Sequence, residues 1–155
     1  LWEHQALVRA RFVTGDAQLG AEFAALRTAL LLKTRDPEVV AREVTQMRER
    51  WREALDRSSA SLFDLKQGRG GAVDIEFVAQ QLLLSLGAAG LDAAPPPAET
   101  AALLNWLSAR GALAQARAHA LAQAHGRLLD RGLRCALALE KRLVPAAEGR
   151  ELATA

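Results

Sequence analysis

The sequence has a single cysteine, Cys135, in 155 residues. One thiol excludes an internal disulfide framework and suits a reducing cytosol. No apolar run approaches the roughly 18 residues needed to span a bilayer, so no membrane partner is expected. The opening LWEHQALVRAR has neither the basic start nor the apolar centre of a signal peptide. It reads like the middle of a longer protein. A large excess of one charge is also missing. Net charge is +2, so the pI near 9.2 reflects a small imbalance and not a basic stripe. Nucleic acid is therefore not an expected partner.

Catalytic signatures are missing too. There is no Walker loop, Gly-x-Ser-x-Gly elbow or zinc spacing. His4, His119 and His125 form no metal-ligand pattern, and Cys135 lies on an apolar stripe with no partner to activate it. The expectation is no catalytic residue and no metal ligand in this chain.

What the chain does contain is alanine, leucine, arginine and glutamate, the best helix formers. The patterning predicts an all-α bundle of about six helices, with one short extended segment before the central one. The expected organisation is a helical domain over 1–144 and a tail over 145–155. The first helix covers 1–14, with charges on several faces. Asp16 caps a second over 17–34, whose core stripe reads Leu19, Phe23, Leu26 and Leu30. Asp36-Pro37-Glu38 starts a third over 37–57, which buries Val40, Val44, Met47, Trp51 and Leu55. Its arginines and glutamates, Arg48 and Arg52 among them, read as a solvated, ion-paired face. Leu62–Lys66 alternates like an extended segment. Thr100 caps a short helix over 100–109. A long helix from 112 to about 143 carries Leu121, Ala124, Leu128, Cys135 and Leu139 on one face, with Gly126 and Gly132 as places for a kink.

The central stretch is GGAVDIEFVAQQLLLSL, residues 70–86. Ile75, Ala79, Leu82 and Leu86 fall on one side of the wheel and Phe77 and Leu84 nearly opposite, so the helix should be enclosed on at least two sides. Gly70 and Gly71 precede it, flanked by Lys66 and Arg69. Glycines before a helix let the backbone approach an anion, but Asp74 and Glu76 argue against a bare anion site. Those two acids point about 160° apart at 100° per residue, so they cannot chelate one ion together. They invite salt bridges to arginines of the first helix.

Two segments are more specific: WEHQALVRAR at 2–11, and GGAVDIEF at 70–77 with Gln80. Together with Phe63-Asp64-Leu65-Lys66 and Met47-Arg48, they resemble the glutamine synthetase adenylyltransferase/adenylyl-removing family, in its C-terminal, adenylylating half. His125 departs from that pattern, which would have tyrosine there, and Gly132 departs as well. The resemblance implies a polymerase β-type palm just upstream that uses Mg²⁺ and ATP to transfer AMP to a tyrosine of glutamine synthetase. It implies that this chain braces or closes that palm, is not catalytic alone and binds neither Mg²⁺ nor ATP tightly. Arg9, Arg11 and Lys66 then become candidates to face the palm or the ATP phosphates. Glu3, His4, Gly70, Gly71, Asp74, Glu76 and Gln80 would support them, with Arg9 or Arg11 paired to Asp74 or Glu76. The rival reading is a regulatory module that docks glutamine synthetase, senses glutamine or meets the PII signal protein. It would show an exposed apolar patch near Trp106 or the Ala/Pro loop. A helical nucleic-acid binder is a weaker third.

Overall fold

The computed structural model describes residues 1–87 and 95–154, which form seven helices and one two-stranded sheet. In chain order these are α1 (Trp2–Arg9), α2 (Ala17–Leu31), α3 (Pro37–Leu55), β1 (Leu62–Asp64), α4 (Ala72–Leu86), α5 (Thr100–Ala109), α6 (Gln115–Leu137), β2 (Leu143–Pro145) and α7 (Ala146–Ala153). The protein is predominantly α-helical, as its composition implies. The helix over 72–86 is central: α1, α3, α5 and α6 all pack on it. Its apolar residues on opposite sides are both used, with Ile75, Phe77, Ala79, Leu83 and Leu84 buried.

The local start signals hold. Asp16 accepts hydrogen bonds from the backbone N–H of Gln18 and Leu19, and Asp36 from that of Glu38 with Pro37 at the first helical position. At α5 the cap is Glu99, not Thr100: its carboxylate takes the N–H groups of Ala101 and Ala102, and Thr100 is buried inside the helix.

The expected stripe on α2 is wrong. Leu19 and Leu26 are 65% and 60% exposed, whereas Gly20, Arg27 and Leu31 are buried. Two contacts choose this face. The Phe12 ring lies over Gly20. The Arg27 guanidinium reaches back to α1, donating to Leu7 O and Val8 O at 2.9 and 2.6 Å, and to Pro96 O at 2.7 Å. The Leu7 and Val8 carbonyls belong to the end of α1, which stops at Arg9 instead of running to 14. The last carbonyls of a helix have no partner within it, and a cation there also complements the dipole.

On α3, Val40 and Val44 are buried as expected and Met47 partly so, but Trp51 and Leu55 are exposed. The third buried position is Arg48. The long helix runs unbroken through Gly126 and Gly132 and ends at Leu137. Leu139 therefore lies past its end, 96% exposed and at φ 59°.

The expected tail is structured. Leu143–Pro145 pairs antiparallel with Leu62–Asp64, and α7 follows. Gly149 of α7 lies against Phe63 so closely that a Cβ there would meet the ring at 2.3–2.5 Å. The Ala/Pro loop lies partly in 88–94, outside the described residues.

Candidate functional site

The unexplained chemistry gathers around the N-terminal half of α4. Phe63, Asp64 and Leu65 are buried, and the Asp64 carboxylate accepts from the backbone N–H of Lys66 and Gln67 at 2.9 Å each. This fixes the turn that leads into the glycines. At Gly71 a side chain has no room, because its Cβ would meet the carbonyl oxygens of Gly68, Lys66 and Leu65 at 2.9, 3.0 and 3.1 Å. Gly70 takes φ 86°, a region that favours glycine.

The same loop rules out a backbone anion cradle. The N–H of Gly70 goes to Asp74 Oδ2, that of Gly71 to Gly68 O, that of Ala72 to Leu65 O, that of Val73 to Lys66 O and that of Asp74 to Gly71 O. These five backbone donors are already used within the protein. The glycines serve a tight internal turn.

Asp74 and Glu76 point to different neighbours, as two positions on one helix must. Asp74 faces α3, not the first helix. It accepts from Arg48 Nε at 2.5 Å, Arg52 Nη2 at 2.8 Å and Gly70 N at 2.7 Å. Arg48 also donates to Gln67 O at 2.7 Å and to Gln67 Oε1 at 3.3 Å, and its guanidinium lies 5.8 Å from the centre of the Phe77 ring. With its side chain only 6% exposed, Arg48 is an internal tie between α3 and the glycine turn. A clue was present, since Arg48 continues the Val40, Val44 stripe at the next i+4 step.

Glu76 faces α1 and α6. Its Oε2 accepts from Arg9 Nη1 at 2.7 Å, and its Oε1 lies 3.3 Å from His125 Nε2. The Arg9–Glu76 pairing is one of those expected from sequence; the buried histidine is not. Burial works to raise the Glu76 pKa. The His125 hydrogen bond and the charges of Arg9, His125 and Lys66 outweigh it, holding the carboxyl below its ordinary range.

The exposed cations lie above this acid. Arg9 keeps 57% of its side chain exposed. Lys66 is exposed, and its ammonium makes no hydrogen bond or ion pair with the described residues. Lys66 stands where three cavities meet. One, of about 280 Å³, reaches along α6 past Leu129 and Leu133; another, of about 490 Å³, is bordered by Arg57, Lys141 and Arg142. The third, of about 450 Å³, is a groove over α4 between α1 and α3, walled by Trp2, Met47 and Trp51. Gln5 and Gln80 line that groove, and both are buried. Gln5 Oε1, Gln5 Nε2 and Gln80 Oε1 have no hydrogen-bond partner among the described residues.

The other sequence candidates lie apart. Arg11 is exposed beyond the end of α1 and pairs with neither acid. Glu3 is exposed, and His4 belongs to a separate cavity with Lys33, Arg35 and Asp36. Burial, followed by the Arg35 charge, holds the His4 pKa below its ordinary value. Among the described residues no three His, Cys, Asp or Glu side chains come together as a metal-holding group. No helix among them is long and apolar enough to cross a membrane.

Comparison with known proteins gives this geometry a context. The chain is 48% identical over 144 residues to a bifunctional glutamine synthetase adenylyltransferase/adenylyl-removing enzyme of Stenotrophomonas maltophilia strain K279a, covering 93% of this chain and 15% of that protein. Its counterpart in Xanthomonas axonopodis pv. citri strain 306 is 47% identical over 146 residues, 92% of this chain and 15% of the relative. That of Nitrosococcus oceani is 58% identical over 84 residues, 54% of this chain and 9% of the relative. The chain thus spans about 15% of the length of the first two, which carry the name that the WEHQALVRAR and GGAVDIEF motifs pointed to. A family model described as GlnD PII-uridylyltransferase matches residues 38–144. With that match extending over more than half of its length, the chain belongs to this nucleotidyltransferase family.

Proposed function

We propose that this chain is the helical part of an enzyme that transfers AMP from ATP to a tyrosine of glutamine synthetase, and that it closes one side of the nucleotidyltransferase palm. In this reading Arg9 and Lys66 face the ATP phosphates. The observation that carries it is the convergence of three cavities on Lys66, a cation with no partner among the described residues, next to Arg9 at its contact with Glu76. Cations at a phosphate favour phosphoryl transfer because they stabilise the negative charge on its oxygens. The unpartnered Gln5 and Gln80 lie in the same region, where a palm-facing surface needs its unexplained polar groups.

The residues do not fit a bound Mg²⁺. Asp74 is committed to Arg48 and Arg52, and Glu76 to Arg9 and His125. The ion would be held by carboxylates outside this chain. The docking reading for glutamine synthetase or a PII signal protein has less support where it was expected. Trp106 is only partly exposed, with the Arg110 guanidinium 3.7 Å from its ring centre. What favours a docking role instead is the exposed Leu19 and Leu26 face of α2.

The test is adenylylation of glutamine synthetase read by intact mass, with this chain and a relative's palm segment supplied separately and together. The chain alone should transfer no AMP. The palm should transfer more with the chain than without it, and less when Lys66→Ala replaces the native chain. Equal transfer with and without the chain would overturn the palm-closing role.

A further inference from the structure

We propose that His125 is a positioning residue for the Arg9–Lys66 anion site: through Glu76 it sets how tightly Arg9 is held back from a phosphate. The inference rests on the reading that Arg9 and Lys66 face a phosphate, and adds a residue from a different helix to that site.

His125 sits in the middle of α6 and is 4% exposed. Its neighbours one turn away on α6 are Leu121, Ala122, Leu128 and Leu129, so the helix itself supplies no polar partner. The partner is Glu76 across the α4–α6 contact, and the two carboxylate oxygens divide the work. Oε1 meets the imidazole at 3.3 Å and Oε2 meets Arg9 at 2.7 Å. A chain of contacts thus runs from a buried ring, through one carboxylate, to a guanidinium with more than half its side chain in solvent.

The charges facing this carboxylate are Arg9 from α1, His125 from α6 and Lys66 from the turn before α4. The buried face of α5, which also packs on α6, is uncharged: Thr100, Leu103, Leu104 and Leu107. Arg9, Lys66 and Glu76 together carry one positive charge toward the cavities. A carboxylate only accepts, so the imidazole N–H gives Glu76 a donor besides Arg9. With that donor in place Glu76 holds Arg9 less tightly, and the guanidinium can turn to an anion that Lys66 already attracts. Without it Glu76 depends on Arg9 alone, and anion affinity falls.

The probe is sulfate, titrated into ¹⁵N-labelled chain while the Arg9 and Lys66 signals are followed. In His125→Leu, which removes the donor, the affinity should fall about threefold, the scale of a partly exposed ion pair. In His125→Gln, which keeps a hydrogen-bond donor, it should stay near wild type. The loss should also vanish when Glu76→Gln is added, because the effect runs through that carboxylate. His125→Phe gives the same reading if His125→Leu fails to fold. Unchanged affinity without the donor, or a loss that persists beside Glu76→Gln, overturns the proposal while leaving the phosphate-facing role intact. If sulfate moves neither the Arg9 nor the Lys66 signals in wild type, the phosphate-facing reading itself has failed and this inference falls with it.

Discussion

Replacing Arg48 with methionine tests whether the junction of α3 and α4 depends on a buried cation. The substitution keeps the length of the side chain and removes its charge. It breaks the bond to Asp74 at 2.5 Å and those to Gln67 O and Oε1 at 2.7 and 3.3 Å. Removing one member of a buried ion pair typically costs about 3–5 kcal/mol, because the other charge stays buried. Here Asp74 keeps Arg52 and the Gly70 N–H and is one-fifth exposed, so a smaller cost of about 2–4 kcal/mol is expected. For a domain of this size each kcal/mol lowers Tm by about 2–4 °C, giving a drop of about 5–15 °C. Urea unfolding of Arg48→Met should show a lower midpoint at unchanged m. Arg42→Met on the same helix, at an exposed position, should stay within about 0.5 kcal/mol of the parent. If the two variants are equally stable, Arg48 is not the tie described above.

Three further outcomes follow from the geometry. The Glu76 pKa is depressed in the folded protein, so its contribution is present above the ordinary carboxylate range and lost as pH falls through the folded value. Glu76→Gln should therefore melt below wild type at neutral pH, with the gap closing as pH drops below about 4; a gap constant with pH would refute this. Gly149→Ala would place its Cβ 2.3 Å from Phe63 Cγ, so α7 must shift off β1. A cost of about 1–3 kcal/mol and faster proteolysis of the C-terminal helix are expected, and unchanged cleavage would contradict the packing. Leu139 holds φ 59° with its side chain in solvent, so Leu139→Gly should stabilise the protein by about 1 kcal/mol; a lower Tm would mean that the leucine is held by a contact.

The sequence by itself determined whatever depends on neighbours in the chain. Asp16 and Asp36 cap their helices because the side chain and the orphan N–H groups are two or three residues apart. The central helix is enclosed because apolar residues occupy opposite sides of its wheel, and no helix with a single packed face could bury both. The opposite directions of Asp74 and Glu76 follow from 100° per residue, and with them the separation of their partners. The family was legible because WEHQALVRAR and GGAVDIEF are local wording.

Tertiary structure alone decided which of several equally apolar or equally charged faces is used. On α2, Leu19 and Leu26 make as good a stripe as Gly20 and Leu31. The choice came from Phe12 lying over Gly20 and from the α1 carbonyls that Arg27 satisfies. Periodicity puts Arg48 on the Val40, Val44 stripe, but only packing brings it within reach of a carboxylate on α4. The stretch 145–154 has no strong pattern of its own and gains structure by pairing with β1, resting Gly149 on Phe63 and tying Glu148 to Arg131 of α6. His125 met Glu76 across 49 residues of sequence. Helical periodicity reports which residues share a face, but the partner of that face is set by long-range packing, which no short window of sequence contains.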